Sequence, residues 1–60
     1  MWRVRFQFSG EAATTWKTGY ATQQDADTDA AWLLVNGYRF DLDGNEVHPA
    51  STWSEVDPDA

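Results

Sequence analysis

The chain has no cysteine, one histidine, one methionine and two prolines among its 60 residues. Without cysteine there is no disulfide framework and no thiolate metal site. Cations are scarce too: four Lys and Arg stand against ten Asp and Glu, for a net charge of −6. Such a charge is repelled at long range by nucleic acid and by anionic membrane. No apolar run approaches the roughly 18 residues of a membrane span. No charged-then-apolar leader opens the chain. These absences lead to the expectation of a cytoplasmic protein that does not associate with membranes.

A chain this short buries only about 60% of its unfolded surface and usually needs a staple. What it carries instead is aromatic mass: four Trp, three Phe and two Tyr. Each large ring buries roughly 150–250 Å², enough for a compact core in one domain.

Charge is unevenly placed. Residues 1–24 hold Arg3, Arg5 and Lys17 against Glu11, and residues 25–60 hold Arg39 against nine acids. The first segment is therefore +2 and the second −8.

Trp2 to Ser9 alternates, with Trp2, Val4, Phe6 and Phe8 on one side and Arg3, Arg5, Gln7 and Ser9 on the other. Alternation of this kind predicts a half-buried antiparallel strand. Ser9-Gly10-Glu11 is turn chemistry. Thr14 to Ala21 alternates again around Trp16 and Tyr20, which completes a hairpin.

Thr22 is placed to cap a helix, and Asp25 stands three residues on, a variant of the capping box. Asp25, Asp27 and Asp29 suit the positive end of the helix dipole. Ala26, Ala30, Leu33 and Leu34 form the stripe that faces a core, and Asn36-Gly37 stops the helix, with Gly37 expected in the left-handed cap conformation. Asn-Gly is also a strong hairpin signal, so Ala31–Val35 as a strand paired with Tyr38–Leu42 is the rival reading.

Tyr38, Phe40 and Leu42 alternate as a third strand. Asp43-Gly44-Asn45 is a turn, and Glu46 to His48 is a short fourth strand. The expectation is an α+β fold: a small two-layer β-β-α-β-β domain over residues 1–49, one helix on a four-stranded antiparallel sheet of order 2-1-3-4. Trp2, Val4, Phe6, Phe8, Trp16, Tyr20, Phe40 and Leu42 would meet the helix. Residues 50–60 read as an acidic C-terminal tail. Thr52 and Glu55 have capping spacing, so this tail could dock through one helical turn bearing Trp53 and Val56. Layouts of this kind are widespread and do not imply a function.

Trp32 falls off the core-facing stripe, with Ala31 and Val35 beside it. A helix apolar on two sides buries both. Three burials are open: a protein partner or second copy, the Trp53 tail, or the rival strand. Trp is enriched at binding hot spots, above all inside a polar ring. The expected contact set is therefore Trp32, Val35, Ala31, Asp25 and Asp29, with Trp53 joining it. The partner would be a copy of the same chain or a larger target with a basic rim, with Asp25, Asp27 and Asp29 supplying electrostatic steering. Small acidic chains of this type resemble phage and mobile-element accessory proteins, including inhibitors that occupy nucleic-acid-binding surfaces by mimicking their charge.

The different-class alternative is a nucleic-acid or anionic-ligand binder. By the alternation, Arg3, Arg5, Lys17 and Arg39 project together from the open face of the sheet. Stacking platforms also need aromatics on that face, and here the aromatics are assigned to the core. Cross-strand acids such as Asp41 and Glu46, or Glu55, Asp57 and Asp59, would neutralise the cations.

Other chemistry is poorly provided for. Asp25-Ala-Asp27-Thr-Asp29 resembles the opening of a calcium loop, but Ala30 and Asn36 stand where Gly and Glu are needed. Asp41-Leu-Asp43-Gly44-Asn45-Glu46 is equally incomplete. His48 is alone, and no nucleophile–base motif surrounds Ser9, Ser51 or Ser54. A two-layer fold of this length leaves little room for a ligand pocket of typical size. The expectation is a non-enzymatic protein without metal, cofactor or small-molecule substrate.

Overall fold

The computed structural model describes residues 1–59. It is a small α+β fold with antiparallel sheets: β1 (Trp2–Gln7), β2 (Thr14–Tyr20), α1 (Gln23–Asn36), β3 (Arg39–Phe40), β4 (Glu46–Val47) and β5 (Ser51–Val56). The four-stranded sheet does not form. A three-stranded sheet of order β2-β1-β5 stands beside a separate β3–β4 hairpin. β1 is central, as expected, but its second neighbour is β5 and not β3.

As the central strand, β1 has both backbone edges paired, and its apolar face is covered by the helix. Val4 is fully buried at its middle. It forms the core with Ala26, Ala30 and Leu33, and Trp2, Phe6, Trp16 and Tyr20 pack around them. Alanines at the contact let the helix come close to the sheet. Leu34 is not in this core: it is turned toward solvent and 42% exposed. One residue beyond Leu33 is about 100° around the helix, enough to carry Leu34 off the contact stripe.

The helix starts as its cap predicts. Thr22 Oγ1 accepts the Asp25 amide at 3.2 Å. The strand rival for residues 31–35 is excluded, since α1 runs through to Asn36. At the other end Gly37 donates its amide to the Leu33 carbonyl at 2.7 Å. Its backbone is extended, at φ −75° and ψ 130°, not left-handed as expected. Glycine is needed here for space. A Cβ at position 37 would lie 2.6 Å from both Leu33 Cδ1 and the Leu33 carbonyl oxygen.

Residues 51–56, expected within an acidic tail, are the edge strand β5. It pairs antiparallel with β1 over six positions, from Trp2–Val56 to Gln7–Ser51. The expected helical turn around Trp53 is absent. β5 meets the helix through hydroxyls: Thr52 Oγ1 donates to the Ala30 carbonyl at 2.6 Å, and Ser54 Oγ donates to the Asp27 carboxylate. A strand that docks in this way shows no apolar alternation. Ala60, the last residue of the expected tail, lies outside the described residues.

Since β3 is not in the main sheet, Phe40 and Leu42 are not core residues. Phe40 is 64% exposed and Leu42 fully so. Among the described residues, the backbones of β3 and β4 lie close to each other and to no other strand or helix. Asp41 Oδ1 accepts the amides of Asp43 and Asn45, each at 2.9 Å, and Gly44 turns the loop at φ 81°.

Candidate functional site

β2 is irregular where it passes the helix. Val4 pairs with Lys17 and Arg5 with Thr15, with a register shift between them. A bulge places two residues opposite one, so Trp16 and Lys17 both lie on the helix side of the sheet. Trp16 there stacks on Trp32, with ring centroids 6.0 Å apart and planes 11° from parallel. Lys17 Nζ lies 4.4 Å from the Trp16 ring centroid, a cation–π contact. Trp32 thus has a partner within the chain that was not among its three expected burials, and it is still 55% exposed.

One helical turn before Trp32, Asp29 accepts a 2.6 Å hydrogen bond from the Tyr20 hydroxyl. Burial of the phenol, then the Asp29 hydrogen bond and charge, push the Tyr20 pKa up to about 12. Trp16, Lys17, Asp29 and Trp32 line a recess of about 240 Å³. Val35, 71% exposed, and Ala31 continue the surface over the back of the helix. Asp25 is exposed on the flank of Trp32, two turns toward the N-terminus.

Beyond Trp32 a larger open cleft of about 420 Å³ runs between the helix end, the end of the sheet and the hairpin. Its apolar wall includes Phe6, Phe8, Trp16, Trp32, Tyr38 and Pro49. That volume lies in the range of small-molecule sites, contrary to the expectation that so small a fold has no such space. The hairpin is tied to the cleft by Arg39. Its guanidinium lies 4.1 Å from the Phe8 ring centroid and pairs with Glu11 across two contacts. Tyr38 meets Phe40 edge to face at 5.6 Å and lies 5.9 Å from the His48 ring. His48 Nε2 is in turn 2.6 Å from Glu46 Oε1.

Trp53 does not join this surface. It faces the far side of the sheet, paired in register with Arg5, and its indole donates to Glu55 Oε1 at 3.0 Å. Glu55 is the hub of that face. It accepts from Arg3 at 2.8 Å and lies 3.5 Å from Arg5 Nε. The hydrogen bond from Arg3 chiefly, then the one from Trp53, hold the Glu55 carboxyl below the usual glutamate range. Asp57 lies 4.0 Å from Arg3, and Arg5 also donates to Thr15 at 2.9 Å.

The four cations therefore do not share one face. Arg3 and Arg5 are engaged by acids of β5 and the residues after it. Lys17 is carried to the helix side by the bulge, and Arg39 is folded onto Phe8 and Glu11. Among the described residues, no group of three or more His, Asp or Glu side chains is placed to hold a metal ion. No helix there is long and apolar enough to cross a membrane.

Tyr38, Phe40 and Leu42 escape sequence reasoning as surface residues because their alternation reads as a buried strand. The signal against burial is their partner: Glu46-Val47-His48 is too short and polar to complete a second apolar layer.

Comparisons with protein-family models, with curated proteins and with solved structures give no match for this chain.

Proposed function

We propose that this chain is a non-enzymatic protein-binding module whose contact surface is centred on Trp32. The observation that carries the reading is the state of Trp32: braced from behind by Trp16, yet more than half exposed beside an open apolar cleft. A tryptophan held rigid before contact loses little freedom on binding, which favours it as an anchor. Val35, Tyr38, Phe40 and Leu42 extend the apolar area. Patches above a few hundred Å² on a small protein mark contact sites. The partner is a protein, either a larger one with a basic rim that answers Asp25 and Asp29, or another copy of the chain.

The test is affinity capture on the immobilised chain, with sedimentation of the free chain in parallel. Each is run with wild type, Trp32→Ala and a far-face control, Ser51→Ala. The reading expects a bound protein, or self-association, that Trp32→Ala loses and Ser51→Ala keeps. Equal binding by all three, or neither capture nor self-association, overturns it.

A further inference from the structure

The β3–β4 hairpin and the cleft at its base have the form of a knob and a socket on one molecule. Leu42 stands fully exposed at the tip, beside Asp43. Asp41 has its carboxylate occupied by two loop amides, so the loop is held in shape before any contact. Tyr38 and Arg39 at the base line the cleft with Phe6, Phe8, Trp16 and Trp32. We propose that this surface takes a second copy of the chain, the two hairpins lying antiparallel so that each Leu42 enters the other copy's cleft. This proposal rests on the protein-binding reading above and names its occupant.

Three observations support a second copy. First, the geometry closes. Tyr38 stands at the base of the hairpin and Leu42 in the turn at its tip, beyond the two-residue strand β3, so base and tip are offset by the length of the hairpin. Two hairpins laid antiparallel with that offset bring each tip to the other's base at once. One two-fold axis then satisfies both contacts, the self-complementary arrangement of a closed dimer.

Second, one charge pair is open. Of the hairpin acids, Asp41 accepts two loop amides and Glu46 lies 2.6 Å from His48, which leaves Asp43 for a partner, while the recess at the Trp16–Trp32 pair carries Lys17 beside Asp29. Among the described residues no carboxylate lies within 4.0 Å of the Lys17 ammonium. Asp43 beside an inserted Leu42 supplies one.

Third, the area suits a weak dimer. Trp32, Tyr38 and Phe40 are 55%, 53% and 64% exposed, on rings of roughly 150–250 Å² each. With Leu42 the patch falls in the small class of interfaces, below about 1,200 Å² in total, which are often transient. Pairing also gives the hairpin the further layer that an isolated two-stranded unit lacks.

The experiment is sedimentation of the full chain from roughly micromolar to millimolar concentration, where interfaces of this size associate. Wild type is expected to pass from monomer to dimer. Leu42→Asp, at a side chain that touches little within the monomer, is expected to remain monomeric with an unchanged circular dichroism spectrum. Lys17→Glu and Asp43→Lys each weaken the dimer about tenfold, about 1.4 kcal/mol, and the double variant restores it. A wild-type chain that stays monomeric throughout, or a dimer unaffected by Leu42→Asp, overturns the proposal. A monomeric chain that still captures another protein through Trp32 overturns self-docking alone. One that also captures nothing overturns the protein-binding reading with it.

Discussion

Trp16 and Trp32 stack nearly parallel, 6.0 Å between centroids, one ring from the bulged strand β2 and the other from the flank of α1. This pair joins the sheet to the helix outside the Val4–Ala26–Ala30–Leu33 core. It also fixes the orientation of the one exposed tryptophan on the helix.

The two rings contribute unequally to stability. Trp16 packs on the core, so Trp16→Ala is expected to cost about 3 kcal/mol, the low end for loss of a large ring. Trp32→Ala removes a half-exposed ring and is expected to cost about 1 kcal/mol. In a double-mutant cycle by urea denaturation the coupling should be about 0.5–1.5 kcal/mol. A coupling indistinguishable from zero would show that the stack does not brace Trp32.

Gly37 is required by space, not by a left-handed backbone. Gly37→Ala is therefore expected to destabilise by about 1–3 kcal/mol, the usual cost of overpacking, because the added carbon meets both the side chain and the backbone oxygen of Leu33. Trimming the neighbour should relieve part of this. Thermal denaturation of Gly37→Ala, Leu33→Ala and the double variant measures it. Costs that simply add would remove the steric explanation.

Two groups set opposite pH limits. The Glu55 carboxyl is held below its ordinary value by Arg3 and then Trp53, so its contribution is present above about pH 4.3, the unperturbed glutamate value. It is lost as pH falls through the depressed folded value. Tyr20 is shifted the other way, up to about 12. Its contribution is fully present below about pH 10 and is lost as pH rises through about 12. Chemical denaturation across pH should show Glu55→Gln flattening the acid limb and Tyr20→Phe flattening the alkaline limb. In a spectrophotometric titration the phenolate step near 12 should vanish in Tyr20→Phe.

Elements built from local rules are legible in the sequence. β1 follows from strict alternation at Trp2, Val4 and Phe6, and the start of α1 from Thr22 with an apolar stripe behind it. β5 is hidden because its inward residues are Thr52 and Ser54, which dock by hydroxyl donation to Ala30 and Asp27. The hairpin misleads in the opposite sense. Tyr38, Phe40 and Leu42 alternate like a core strand, but pairing with two short polar positions leaves them uncovered. The basic face dissolves for a third reason: the bulge in β2 moves Lys17 to the other side of the sheet, and a single inserted residue has that effect wherever side chains alternate.

The sequence by itself determined the helix, the central strand, the absence of disulfides and the unusual placement of Trp32, since each depends on neighbours a few residues away. Only the tertiary structure decided that residues 51–56 complete the sheet in place of 39–42, that Glu55 engages Arg3 and Arg5, and that Trp16 is what Trp32 leans on. Those outcomes depend on which strand reaches the free edge of β1. That edge goes to the strand that can satisfy both the backbone of β1 and the charges beside it.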